Sequence, residues 1–178
     1  MHTNGGEPLR EFRLRPRDAV EADLPAILAI YNATIPGGMV TADTAPVTVE
    51  SRLPWFRSHT PDRRPFWVVQ DESGTILAWL SFSDFHSRPA YHPTAEISVY
   101  VDETARRRGL ASFLLDRAIE RAPEIGVRVL VGLIWGHNEP SLRLFERYGF
   151  ARWGHLPRVA LLYGLERDLI VVGRRTAP

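Results

Sequence analysis

The 178-residue chain contains no cysteine. A disulfide framework, a thiolate zinc site and a catalytic thiol are therefore excluded. An excess of one charge is also lacking. Lys and Arg number 22 against 21 Asp and Glu, a formal +1, which argues against a dedicated nucleic-acid binder. No apolar run approaches the ~20 residues that a membrane-spanning helix needs. Residues 1–9 are polar and glycine-containing, without the apolar core of a signal peptide. They are expected to form a flexible tail, with residues 10–178 as one domain. No histidine pair has metal-ligand spacing of the HExxH kind, so no metal site is expected. These absences predict a cytoplasmic protein with neither membrane nor nucleic acid as partner.

What remains is an ordinary globular composition, 44% hydrophobic and 24% charged, enough for one domain with a real core. Glu11 to Arg15 alternates around Phe12 and Leu14, a first strand. Asp18 to Asp23 offers caps for a helix through Ile27, Leu28, Ile30 and Tyr31, with Pro25 in its tolerant first turn. Thr48 to Ser58 reads as a second helix capped by Thr48, with Pro54 inside it. Phe66–Gln70 and Thr75–Phe82 are aromatic-rich strands joined by a hairpin. A loop, Ser83 to Pro93, follows. Further on, Val127 to Trp135 is a strand, and a helix starts after His137-Asn138-Glu139-Pro140-Ser141. Ala151–His155 and Glu166–Val172 are closing strands, with Leu156–Gly164 as the connection. The order predicts a mixed sheet flanked by helices on both sides, an α/β (α+β) class.

The most informative stretch runs from Thr94 to Ala122. Ile97, Val99 and Val101 alternate with Glu96, Ser98 and Tyr100, so a strand buries one face and offers the other to a cleft. Arg106-Arg107-Arg108-Gly109 then leads into a helix whose stripe is Leu110, Leu114, Ala118 and Ala122. Free amides, a positive helix end and three cations meet at one turn, a binding place for phosphate. It is not a P-loop, because no Gly-Lys-Ser/Thr follows. The plainer alternative is a solvated basic turn.

Arg106-x-x-Gly109-x-Ala111 after an alternating strand resembles the acyl-CoA pyrophosphate loop of the GNAT N-acyltransferases. Asn138-x-x-Ser141-x-x-Leu144-x-x-x-x-Gly149-Phe150 is similar to that superfamily's second CoA-contacting segment. Arg88-x-Ala90-Tyr91-x-x-Thr94-x-Glu96-x-Ser98-Val99-Tyr100-Val101 resembles the phosphinothricin and methionine sulfone/sulfoximine acetyltransferases, which acylate small amino acids. The likeness spans roughly Arg10 to Arg174, nearly the whole chain.

The resemblance implies a largely antiparallel twisted sheet with a splayed central strand and about four helices. It implies acetyl-CoA as cofactor. The pantetheine arm would lie along Ser98, Val99, Tyr100 and Val101 like an added strand. The pyrophosphate would sit on Arg106, Arg107, Arg108, Gly109, Leu110 and Ala111, and Asn138 and Ser141 would meet the arm near the thioester. Glu96 is implied as general base, Arg88 and Tyr91 as acceptor-binding residues, and a homodimer as the assembly. Each has a plainer reading beside it. Asn138 can be an N-cap, Glu96 an exposed strand carboxylate, and Arg88 a loop ion pair.

The backbone N–H of Val99 or Tyr100 is the expected oxyanion donor. Phe145 stands where many relatives carry Tyr or His, so the acid for the leaving thiolate is unassigned. Tyr148, one turn on, need not face the thiol. Trp79, Phe82, Phe85 and Tyr31 are expected to wall the acceptor pocket. The expected activity is direct transfer of acetyl to the primary amine of a small amino acid or analogue. The alternatives are a protein or peptide N-acetyltransferase and a non-catalytic acyl-CoA sensor.

Overall fold

The computed structural model describes residues 16–176. In it the alternating segment becomes the middle of a seven-stranded sheet. The strands are β1 (Arg17–Asp18), β2 (Phe66–Gln70), β3 (Ile76–Asp84), β4 (Thr94–Val101), β5 (Val129–Trp135), β6 (Ala151–Leu162) and β7 (Leu165–Arg175). The described helices are α1 (Leu24–Ala33), α2 (Val49–Arg57), α3 (Leu110–Glu124) and α4 (Glu139–Arg147). Strand order across the sheet is β1-β2-β3-β4-β5-β7-β6.

Every pairing is antiparallel except β4 with β5. That parallel contact is short. It joins Thr94, Ala95 and Glu96 to Val129, Leu130 and Val131, and stops there. β4 meanwhile stays paired with β3 from Ala95 to Val101. The two central strands therefore diverge past Glu96, which opens a cleft in the sheet.

The alternation seen in the sequence decides what each face meets. On one side, Leu110, Leu114, Leu115, Ala118 and Ala122 of α3 pack on Phe82, Ile97 and Leu130. On the other, Leu24 and Ile27 of α1 and Phe56 of α2 pack on Val68 and Trp79. Each such large apolar side chain contributes about 1.5–3 kcal/mol when fully buried. Thr48 caps α2 as expected, accepting the Ser51 N–H at 3.2 Å, and the helix runs through Pro54 without interruption.

Two expectations differ from the structure. Leu156–Gly164 is not a connection. β6 continues to Leu162, so only Tyr163 and Gly164 turn the chain. Pro157 makes the segment read as a loop, but β6 is the sheet edge, where proline costs no ladder bond. A register shift between Leu156 and Ala160 takes up Pro157, and another between Arg152 and Gly154 skips Trp153. β3 also runs on to Asp84, and a short 3-10 turn occupies Pro89–Tyr91 in the loop after it. The strand expected at Glu11–Arg15 and the tail 1–9 lie outside the described residues.

Candidate active site

The arginine turn is built from strained but permitted backbone. Asp102 accepts the Thr104 N–H at 2.9 Å and starts a 3-10 turn over Glu103–Ala105. Arg107 then has φ 63° and Gly109, the cap of α3, has φ 78°. A Cβ on Gly109 would touch nothing within 4 Å; its backbone angle, not crowding, calls for glycine. Among the described residues, the amides of 107–112 find no backbone acceptor. Arg106 leans on Glu103 at 3.4 Å and Arg108 on the Thr104 carbonyl at 3.3 Å, both exposed. The turn thus presents a row of free N–H groups, a helix N-terminus and three guanidinium groups to solvent.

The cleft between β4 and β5 has a volume of about 50 Å³, lined by Ile97 to Tyr100, Gly132 to Ile134, Val40, Asn138, Ser141 and Phe145. Its β4 wall has a definite hydrogen-bonding phase. The Asp102 N–H bonds the Leu77 carbonyl at 2.8 Å. In an antiparallel ladder bonded pairs alternate, so Tyr100 and Ser98 also bond to β3. The amide of Val99 therefore points the other way, into the cleft.

Asn138 is buried, with its Oδ1 accepting the Ser141 N–H at 3.2 Å. Its cap role is thus real. Its Nδ2 meets no protein acceptor among the described residues. Phe145 lies against Gly132, where even a Cβ would come within 2.9 Å of the ring. Tyr148 packs on the core and is not in the cleft lining.

A second cavity, of about 220 Å³, lies on the other face of β4. Leu28, Tyr31, Arg52, Trp55, Trp79, Ser81, Ser83, Glu96, Ser98 and Tyr100 line it. Trp79 and Tyr100 stack at 4.3 Å, with Tyr31 at 5.2 Å from Tyr100. Glu96 is half-buried and has no hydrogen bond or ion pair among the described residues. Its desolvation pushes the carboxyl above the ordinary glutamate range. Burial also raises the Tyr100 phenol, which stays neutral. Ser98 and Tyr100 line both volumes, so cleft and cavity meet across one strand.

Of the expected wall residues, Trp79 and Tyr31 are present. Phe82 is fully buried on the opposite face, edge-on to Trp67 at 5.5 Å. Its parity on β3 is that of the α3 side. Phe85 is exposed, in the loop after β3. Arg88 and Tyr91 lie on that same exposed loop and do not line the Glu96 cavity. Val101 pairs with Ala78 just beyond the cleft lining.

The chain matches the family model "Acetyltransferase (GNAT) family" over residues 27–150. It belongs to the GNAT acetyltransferases. It is 51% identical to the "Putative phosphinothricin acetyltransferase" of Bacillus subtilis, over 89% of this chain and 96% of the relative. It is 37% identical to the L-methionine sulfoximine/L-methionine sulfone acetyltransferase of Pseudomonas paraeruginosa, over 86% of this chain and 89% of the relative. A solved GNAT phosphinothricin acetyltransferase from Sinorhizobium meliloti, in complex with acetyl-CoA, superposes with TM-score 0.85 at 28% identity, covering 91% of this chain and 88% of that one.

Acetyl-CoA is the acetyl donor of these enzymes, and the residues of this GNAT chain fit it. The free amides of 107–112 suit a diphosphate, the open backbone edge of β4 suits an amide-bearing arm, and the Asn138 Nδ2 is an unspent donor beside it. Sequence reasoning missed Leu28, Arg52, Trp55, Ser81 and Ser83. They come from three elements with no common motif, and only the tertiary fold gathers them. It also missed Arg64, a buried guanidinium that bonds Asp84 at 2.8 Å and the His92 carbonyl at 2.9 Å, tying down the loop that carries Arg88.

Proposed function

We propose that this GNAT enzyme transfers acetyl from acetyl-CoA to the primary amine of a small amino acid or analogue, directly and in a ternary complex. The observation that carries the reading is Glu96, a desolvated carboxylate, unpaired among the described residues, in a small cavity that meets the cofactor cleft at Ser98 and Tyr100. Bound acetyl-CoA supplies the activated thioester. An amine arrives protonated and has no lone pair to attack with. Glu96, with raised proton affinity, takes that proton directly or through one water. The Val99 N–H, free on the cleft side, stabilises the developing oxyanion. Phe145 has no proton to give, so the Asn138 amide and water would be the donors available to the leaving thiolate.

The amides of 107–112 and the three arginines hold the diphosphate in this reading. A cavity of about 220 Å³ is below the ~300–1,000 Å³ of drug-sized ligand sites, which favours a free amino acid over a protein tail. The same proposal includes a cytoplasmic location, where acetyl-CoA is available. It also includes a homodimer, supported by the apolar side chains that the β6–β7 hairpin leaves exposed, Trp153, Leu156, Val159, Leu161, Tyr163 and Leu165.

A thiol-release screen with acetyl-CoA tests the function. The panel holds amino acids, methionine sulfone, methionine sulfoximine, phosphinothricin, polyamines and a short peptide. Turnover is expected with small α-amino acids. Silence across the panel, or turnover of the peptide alone, contradicts the proposal.

A further inference from the structure

The Glu96 cavity has one cationic side chain in its lining, Arg52. It comes from α2, which the sequence motifs of the cofactor site do not touch. Its guanidinium is held in place on two sides. Nη2 donates to Asp43 Oδ2 at 2.6 Å. Its central carbon Cζ lies over the Tyr31 ring, 5.4 Å from the ring centre, and over the Trp55 ring, 5.9 Å from its centre. Asp43 is itself fixed, because the Tyr31 hydroxyl donates to the same oxygen at 2.6 Å. Nε and Nη1 of Arg52 have no partner among the described residues. A guanidinium with one anchored nitrogen, two aromatic rings beneath it and two nitrogens without a partner is preorganised for an oxyanion.

We propose that Arg52 is the specificity-determining residue that binds the α-carboxylate of the acceptor. This rests on the acetyltransferase reading above and adds the acceptor's second anchor. An α-amino acid carries an ammonium and a carboxylate one carbon apart. Glu96 and Arg52 supply the complementary pair of charges inside one small cavity. Arg88, the other candidate, sits on an exposed loop outside that cavity. Neutral amines lacking the acid group leave the two Arg52 donors unpaired on closure of the complex, and are discriminated against for that reason.

The test compares the α-amino acid of the panel that is turned over fastest with its α-carboxamide, measured as kcat/KM with acetyl-CoA. The wild type is expected to prefer the free acid. Arg52→Gln lowers kcat/KM for the free acid by roughly 10- to 100-fold, the loss of a hydrogen bond to a charged group, and brings the acid-to-amide ratio toward one. The double variant Arg52→Gln/Asp43→Asn removes both charges of the pair and is expected to show the same collapsed ratio, which separates acceptor binding from an orphaned Asp43. Calorimetric binding of acetyl-CoA reports whether each variant is folded. A wild-type ratio near one, a ratio that survives Arg52→Gln, or a ratio that collapses with Arg88→Gln instead overturns the assignment while leaving the enzyme reading intact. A wild type that turns over no α-amino acid of the panel overturns both.

Discussion

The cofactor turn occupies consecutive residues from Asp102 to Ala111. The acceptor cavity takes Tyr31 from α1, Arg52 and Trp55 from α2, Trp79 from β3 and Glu96 from β4. In the proposed function the first binds mainly with backbone, the free amides at a helix start and the open edge of a splayed strand, helped by three arginines. The second binds with side chains, and those side chains also serve the core, as Trp79 does by donating its indole N–H to the Ile27 carbonyl at 3.1 Å. A site built largely from backbone depends on glycine and on the divergence of two strands. A side-chain site can be retuned by one substitution.

Glu96→Gln is the sharpest way to test the division. Loss of a general base costs about 10²- to 10⁴-fold in kcat, while acetyl-CoA affinity should hold because the diphosphate turn is untouched. In the wild type kcat/KM should fall on the acid side, with its inflection above the ordinary glutamate range. The stability effect has the opposite sign. A carboxyl whose folded pKa is raised favours the fold in its protonated form, so its stabilisation is present at low pH and lost as pH rises through that pKa. Glu96→Gln should therefore melt above the wild type at neutral pH, with the gap closing below about pH 4, under the unperturbed value. Wild-type turnover by Glu96→Gln would remove the base from the mechanism.

The next effect lies on the cofactor side. Gly132 is the floor of the cleft, and an added Cβ would come 2.9 Å from the Phe145 ring and 3.0 Å from Val172. Overpacking of this kind costs roughly 1–3 kcal/mol, and the ring's way out is toward the cleft. Gly132→Ala should melt lower and raise KM for acetyl-CoA, with acceptor preference unchanged. Phe145→Leu in the same chain should restore part of both. A shift in acceptor preference instead would mean that the two halves are coupled through β4 and β5.

Legibility in the sequence follows the same division. The turn, the alternating strand and the Asn138 cap could be read because their signals are local: an alternation, a triple arginine before glycine, an N-cap spacing; the splay of that strand came only from the family resemblance. The parity of β4 placed Glu96, Ser98 and Tyr100 on the right face for the same reason. Phe82 was misplaced because its own strand's parity was not carried through, which puts it with Ile97 on the α3 side. The β6–β7 hairpin was cut short because Pro157 signals a break, and a sequence does not reveal which strand will lie at an edge. Arg52 had no readable signal. Its meaning comes from Asp43, Tyr31 and Trp55 around it, and only the packing of α1 against α2 and β3 brings them together.

Asn138 gives the smallest effect and the finest discrimination, because it serves the fold and the cleft with different atoms. Oδ1 caps α4, and Nδ2 is free beside the cleft. Asn138→Ala removes both and should cost about 1 kcal/mol of stability, the usual worth of an N-cap. Asn138→Ser keeps an oxygen for the Ser141 amide but has no amide donor, so it should melt with the wild type. If Nδ2 contacts the bound arm or the leaving sulfur, Asn138→Ser should still lose turnover or acetyl-CoA affinity by several-fold, comparable to one neutral hydrogen bond of ~0.5–1.5 kcal/mol. If the serine variant matches the wild type in both melting and kinetics, Asn138 is a cap alone, and the cofactor half then rests on backbone amides and the three arginines.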